Sequence, residues 1–156
     1  MAVVSFWSNS KEESAKTSSL VAVATLTAIE NQVKCVMVQP GNSDTTIETC
    51  FWSPQKLGQT LDGIMPGKST NVFDSGIDAL MQLLSSNKLT PEVIPNYTKI
   101  IFRDRLEILF SGGRKSKEEY DRYSKYYKDI IGVMGRQYDL VFVDLNKGLD
   151  DESVQD

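Results

Sequence analysis

The stretch from Val3 to Glu30, VVSFWSNSKEESAKTSSLVAVATLTAIE, passes from a short apolar run through a polar loop into a long apolar segment. Val3 to Phe6 has the residue types of a β-strand. Thr17 to Glu30 is long enough for a helix and carries Leu20, Val21, Val23, Ala24, Leu26, Ala28 and Ile29 on nearly every side, the pattern of a buried helix. Asn31-Gln32 interrupts it, and Val33 to Val38 reads as a second strand closed by Pro40-Gly41. Strand, helix and strand in about forty residues predict a βαβ unit with parallel strands.

The rest of the chain repeats this alternation. Ser53-Pro54 predicts an N-cap with proline at the first helical position, starting a short helix to Leu61. Gly63 to Thr70 reads as a loop. Asp74 or Ser75 is a candidate cap for a helix whose apolar face is Ile77, Leu80, Met81 and Leu84. Thr90-Pro91 begins a short helical turn stopped by Pro95-Asn96, and Leu106 to Phe110 is a strand ended by Ser111-Gly112-Gly113. Ser116-Lys117-Glu118-Glu119 has the form of a capping box, opening a helix with Tyr120, Tyr123, Tyr127, Ile130, Ile131 and Met134 on one stripe. Tyrosines at that spacing read as packing rather than as a stacking platform for bases. Leu140 to Val143, running into Asp144, is a near-continuous apolar strand of the kind found inside a parallel sheet. The expected fold is a three-layer α/β/α sandwich with a mostly parallel sheet, built by residues 1–156 as a single domain.

Composition narrows the chemistry. The 156 residues are 40% apolar with a net charge of −4, and the basic residues are dispersed, which argues against a nucleic-acid surface. No apolar stretch approaches the ~20 residues of a membrane-spanning helix and Met1 to Trp7 lacks the features of a leader, so a cytoplasmic protein is expected. Cys35 and Cys50 are not spaced as a metal or redox motif and read as buried small apolar residues. The chain contains no histidine, which removes Ser-His and Cys-His nucleophile pairs.

The loop between the first strand and helix ends in Ala15-Lys16-Thr17-Ser18. A phosphate-binding loop presents successive backbone N–H groups at a helix N-terminus, beside a lysine that adds a full positive charge. Its glycines permit positive φ and close approach of backbone to phosphate. Here the equivalent positions read Lys11-Glu12-Glu13-Ser14-Ala15-Lys16-Thr17-Ser18.

With these residues the chain resembles the ParA/MinD group of deviant Walker A ATPases. The second landmark is Tyr138 to Gly148, YDLVFVDLNKG, similar to that family's strand ending in Asp-x-x-x-Gly; the third is Leu106 to Gly112, which looks like the strand and loop before the family's long helix. The phrases ETCFWSPQKL, LTPEVIPNYTK and YDLVFVDLNKGLDD bring it nearest in flavour to TadZ/CpaE-type pilus-assembly proteins. The resemblance implies a P-loop NTPase fold whose domain continues beyond the Asp144 strand. It implies ATP and magnesium as cofactors, with Lys11, Ser14, Ala15, Lys16, Thr17 and Ser18 around the nucleotide and Thr17 and Asp144 on the metal. It also implies a homo-oligomer with protein partners in a pilus, secretion or partition assembly.

The departures shape the expected activity. Glu12, Glu13 and Ala15 replace all three loop glycines, and Val38-Gln39-Pro40 lacks the aspartate with which many family members orient water. One carboxylate about 4 Å from one phosphate charge costs about 4 kcal/mol at an effective dielectric near 20. Degenerate nucleotide binding is therefore expected; the alternative is a working magnesium-dependent ATPase that dimerises on ATP.

Overall fold

The computed structural model describes residues 1–8, 15–40, 46–52, 76–110 and 117–145, with the backbone alone for 117–124. Lys11 to Ser14, the helix expected from Ser53, the loop Gly63 to Thr70, Asp74, Ser75, Ser116 and Gly148 lie outside the described residues. Five strands form one sheet: β1 (Ala2–Phe6), β2 (Cys35–Val38), β3 (Thr98–Phe102), β4 (Leu106–Leu109) and β5 (Leu140–Asp144), in the spatial order β1-β5-β2-β4-β3. All pairings are parallel except β3 with β4. Among the described residues, three α-helices accompany them: α1 (Lys16–Glu30), α2 (Ile77–Ser85) and α3 (Lys117–Met134).

The sheet order explains how the layers form. Because β5 lies between β1 and β2, the β1-α1-β2 unit passes over a strand formed more than a hundred residues later. Alternate residues of β2, β4 and β5 then face opposite layers. Cys35, Met37, Leu106, Ile108 and Phe142 pack with Leu20, Ala24 and Ala28 of α1, whereas Val36, Val38, Leu109, Val141 and Val143 pack with Ile77, Leu80 and Met81 of α2 and with Tyr127, Ile130 and Met134 of α3. The central strands are buried on both faces, in keeping with a sequence that is apolar apart from Glu107 in β4 and Asp144 at the end of β5.

Three differences from the sequence reading are informative. First, α1 is not buried all round: it buries Thr17, Leu20, Ala24 and Ala28, while Val23, Leu26 and Ile29 are exposed. The helix lies over the sheet on one side, and no described element covers its outer stripe. Second, Thr98–Phe102 forms part of a hairpin that the apolar pattern did not isolate. Its turn holds Asp104 at φ 60°, a left-handed conformation that aspartate tolerates better than most residues. Third, the N-cap of α2 is Gly76, at φ +69° and without a side-chain cap. A Cβ there would run into the backbone of Phe110, whose carbonyl accepts from Ile77 N–H at 3.0 Å, so the close approach requires glycine.

Short 3-10 helices occupy Ile47–Cys50 and Pro91–Asn96. The first follows β2 and brings Ile47 and Glu48 into buried positions. Cys35 is buried as expected, but Cys50 is exposed, because it ends that short helix at the surface rather than entering the core.

Candidate functional site

Parallel strands release their loops at the carboxyl edge of the sheet, where ligand sites of α/β folds lie. Here β1 leads toward α1, β2 ends at Val38, and β5 ends between them at Asp144. The register pairs Phe6 with Asp144 and Val38 with Val143, so the start of α1 and the residue after β2 both converge on the end of β5.

Asp144 is fully buried. Its Oδ2 accepts from the Thr17 hydroxyl at 2.7 Å and from the Gln39 side-chain amide at 2.8 Å. Its Oδ1 faces the Lys16 ammonium at 2.5 Å, a charge contact without hydrogen-bond alignment at that oxygen. The same ammonium donates to the Leu145 carbonyl at 2.6 Å. Lys16 and Thr17 are consecutive in the first turn of α1, and both reach the carboxylate.

Gln39 was not singled out by the sequence as a site residue, yet it joins three elements. The backbone N–H of Ile47 can only donate, and it points at Gln39 Oε1 at 3.1 Å. That fixes the amide orientation and turns the Nε2 donor toward Asp144. Gln39 thus ties the end of β2 to the short helix and to the carboxylate. Only the position of β5 between β1 and β2 reveals this role, since a glutamine after a strand carries no signal of its own.

Glu48, also buried, enters on the same short helix. Cys50 registers this electrostatic environment. Although Cys50 is exposed, partial desolvation pushes its thiol above the ordinary range, and the negative charges of Asp144 and then Glu48 push it further. The other resemblance-derived residues described, Ala15 and Ser18, sit exposed at the start of α1.

Among the described residues, the donor set does not fit magnesium as it stands. Magnesium needs octahedral ligands at about 2.0–2.1 Å, and the ammonium against Oδ1 occupies that side of the carboxylate. Among the described residues, no group of three or more Cys, Asp or Glu side chains is placed to share an ion. An open apolar depression runs beside the site along α1, lined by Ala22, Thr25, Leu26, Ile29 and Cys50. Among the described residues, no cationic side chain lines it.

A second polar cluster lies at the opposite edge of the sheet. Glu107 Oε2 accepts from Tyr138 at 2.5 Å and from Thr98 at 2.6 Å, while Oε1 faces the Lys34 ammonium at 3.2 Å. Lys34 also lies over the Tyr138 ring, 4.7 Å from its centroid. Burial, followed by the Glu107 contact, raises the Tyr138 phenol well above the ordinary tyrosine range.

No protein-family model and no curated protein matches the chain. Solved structures do. The chain is similar to a ParA family ATPase from Chlorobium tepidum TLS, with a TM-score of 0.66 and 14% identity, covering 97% of this chain and 54% of that one. It is also similar to protein DIP2308 from Corynebacterium diphtheriae, with a TM-score of 0.62 and 17% identity, covering 94% of this chain and 52% of that one. The chain therefore spans about half the length of these structures. No helix among the described residues is long and apolar enough to cross a membrane. At these identities the likeness concerns architecture, and it agrees with the sheet order and the convergence at Asp144: the chain has a ParA-like P-loop α/β fold.

Proposed function

We propose that residues 1–156 form a ParA-like, TadZ-type unit that helps to position or assemble a pilus or secretion complex in the cytoplasm, with degenerate nucleotide binding. One observation carries the nucleotide part of this reading: the buried contact of Lys16 with Asp144 at the carboxyl edge of a ParA-like sheet. The lysine assigned to phosphate by resemblance is held by the aspartate assigned to metal. The glutamates at positions 12 and 13 add charge of the wrong sign for phosphate. Support for the pilus role comes from the TadZ/CpaE-like phrases of the sequence, and its protein partners include a second copy of the chain.

In this reading Lys11, Ser14, Ala15, Lys16, Thr17 and Ser18 surround the remnant of an ATP site, with Thr17 and Asp144 beside a magnesium position. When bound, ATP and magnesium supply the energy and charge neutralisation of phosphoryl transfer. Lys16 must leave Asp144 to meet a phosphate. Calorimetric titration with MgATP and MgADP tests the proposal, with little or no heat expected. A dissociation constant below ~10 μM, or about −7 kcal/mol, overturns it. Restoring glycine at positions 12, 13 and 15 is expected to strengthen binding.

The convergence of Lys16, Thr17 and Asp144 also favours a second reading, a working ATPase that dimerises on ATP. Light scattering with and without MgATP separates the two: self-association independent of nucleotide supports the scaffold, and a dimer formed only with ATP supports the enzyme.

A further inference from the structure

The two outer strands of the sheet are protected unequally. At one edge, β3 carries Lys99, runs into Arg103 and shifts register between Ile100 and Phe102, the charge and irregularity that keep a sheet edge from pairing with another chain. At the other edge, β1 has none of these. Residues 1–10 contain no charged side chain and no proline, and the register with β5 is unbroken from Ala2 to Phe6. Among the described residues, no strand pairs with the outer side of β1. Ala2 N–H donates to the Asp139 carbonyl and the Phe6 carbonyl accepts from Leu145 N–H, so the even-numbered residues turn their backbone toward β5. Val3 and Ser5 therefore turn theirs outward. Both residues are exposed, as is Trp7 at 53%.

We propose that the outer edge of β1 pairs antiparallel with β1 of a second copy, joining two sheets into one across a two-fold axis at Val4. Strand addition of this kind takes affinity from backbone hydrogen bonds and selectivity from the side chains beside them. β1 complements itself in both. In the register centred on Val4, Val3 lies opposite the partner's Ser5, and each such pair exchanges both N–H···O bonds. Val4 and Phe6 pack against the core on the face shared with α1. There Phe6 lies opposite the partner's Ala2, large beside small, and Val4 lies opposite the partner's Val4. Charge points to the same surface. Each copy carries −4, so repulsion between copies is least where neither strand bears a charged side chain. The inference names the surface that takes the second copy in the scaffold reading, and it rests on that self-association rather than on the nucleotide loop.

The test is sedimentation equilibrium of the chain in nucleotide-free buffer, with amide hydrogen exchange in parallel. A strand-edge interface this short is at the small end of protein interfaces, so the measurement runs to roughly 100 μM. A dimer is expected, with the Val3 and Ser5 amides protected at high concentration and exchanging freely on dilution. The Val4 and Phe6 amides stay protected in both states. Ser5→Pro removes an outward donor and leaves the side facing β5 intact. It is expected to raise the dimer dissociation constant at least about tenfold, or about 1.4 kcal/mol. Val3→Lys places a charge on the edge without altering the backbone, is expected to do the same, and carries the test should Ser5→Pro fail to fold. Ile100→Lys, at an exposed position on the guarded edge, is expected to leave the dimer unchanged. A chain that stays monomeric without nucleotide overturns the inference. So do Val3 and Ser5 amides protected in the monomer, which show the edge covered by the chain itself, and a dimer that either folded variant leaves intact. The two readings fail separately: a dimer with those amides unprotected refutes only β1 as its surface, whereas tight MgATP binding refutes only degenerate nucleotide binding.

Discussion

Replacing Asp144 by asparagine removes one charge with almost no change of shape, and the Lys16 contact sets the expected cost. At 2.5 Å and an effective dielectric near 20, the gross attraction is about 7 kcal/mol. Desolvation of both groups offsets much of it, and removing one member of a buried pair costs about 3–5 kcal/mol. Lys16 retains some exposure, so its ammonium can turn toward water once the carboxylate is gone. Asp144→Asn therefore belongs at the lower end, about 3 kcal/mol, or a fall of roughly 6–12 °C in the unfolding midpoint. Lys16→Met leaves the fully buried carboxylate without its counter-charge and belongs at the upper end, about 5 kcal/mol. The double variant contains neither charge and is expected to lose much less than the sum. A coupling of about 3–4 kcal/mol should emerge from the cycle. Urea unfolding followed by the fluorescence of Trp7 and Trp52, with circular dichroism as the check on two-state behaviour, measures all four proteins. A coupling below about 1 kcal/mol, the value of an exposed pair, would refute the view that the pair is buried and mutually dependent.

Tyr138→Phe removes the hydroxyl that donates to Glu107 at 2.5 Å and is expected to cost about 2 kcal/mol; a loss under about 0.5 kcal/mol contradicts the buried network. The wild-type network also has a pH signature. Burial and Glu107 raise the phenol in the folded chain, so the unfolded chain loses that proton first, near the ordinary value of about 10. Its contribution is complete below that pH and falls as the pH rises beyond it; an alkaline decline of the same size in Tyr138→Phe would remove Tyr138 as its cause. Native thiol titration is expected to label Cys50 and spare buried Cys35, with a rate midpoint above the ordinary ~8.5; labelling of both, or a midpoint near neutrality, would contradict this. Leu26→Lys on the exposed face of α1 is expected to change stability by less than about 0.5 kcal/mol, against about 2–5 for Leu20→Ala in the core. A large loss for Leu26→Lys, measured on the monomer, shows that its side chain is covered.

What could be read from the sequence, and what could not, divides along a physical line. The runs that became β2, β4 and β5 were legible because central parallel strands are largely apolar on both faces, whereas β1, an exposed edge strand, was legible only from its β-type residues. Lys16, Thr17 and Asp144 were legible as candidates only through the resemblance to the ParA/MinD group, because a lysine and threonine opening a helix and an aspartate ending a strand carry little signal on their own. Gln39 was not, because its importance lies in the strand order, which depends on pairings across more than a hundred residues. The outer stripe of α1 shows the complementary limit. Periodicity tells which of Val23, Leu26 and Ile29 share a face, but not whether any element packs against that face. The β3–β4 hairpin was missed for a third reason: Thr98 to Phe102 has strand-forming residues, but its Arg103-Asp104-Arg105 turn lacks the glycine or proline that usually marks one.

The sheet contains its own comparison for the Lys16–Asp144 pair. Glu107 and Asp144 are both buried carboxylates, one near the amino edge of the strands and the other at their carboxyl edge. Glu107 is neutralised by Lys34 at 3.2 Å, a side chain still 28% exposed, and shares its other oxygen between two hydroxyls. Such an arrangement relies on an ammonium that water can partly replace. Asp144 is held by a shorter and more deeply buried ammonium, beside a hydroxyl and an amide from two other elements. If burial alone dictated how this sheet neutralises carboxylates, the two ends would be interchangeable. They differ because the carboxyl edge gathers α1, β2 and β5 around one atom pair, so moving Lys16 is felt at once by the helix start and the end of β5.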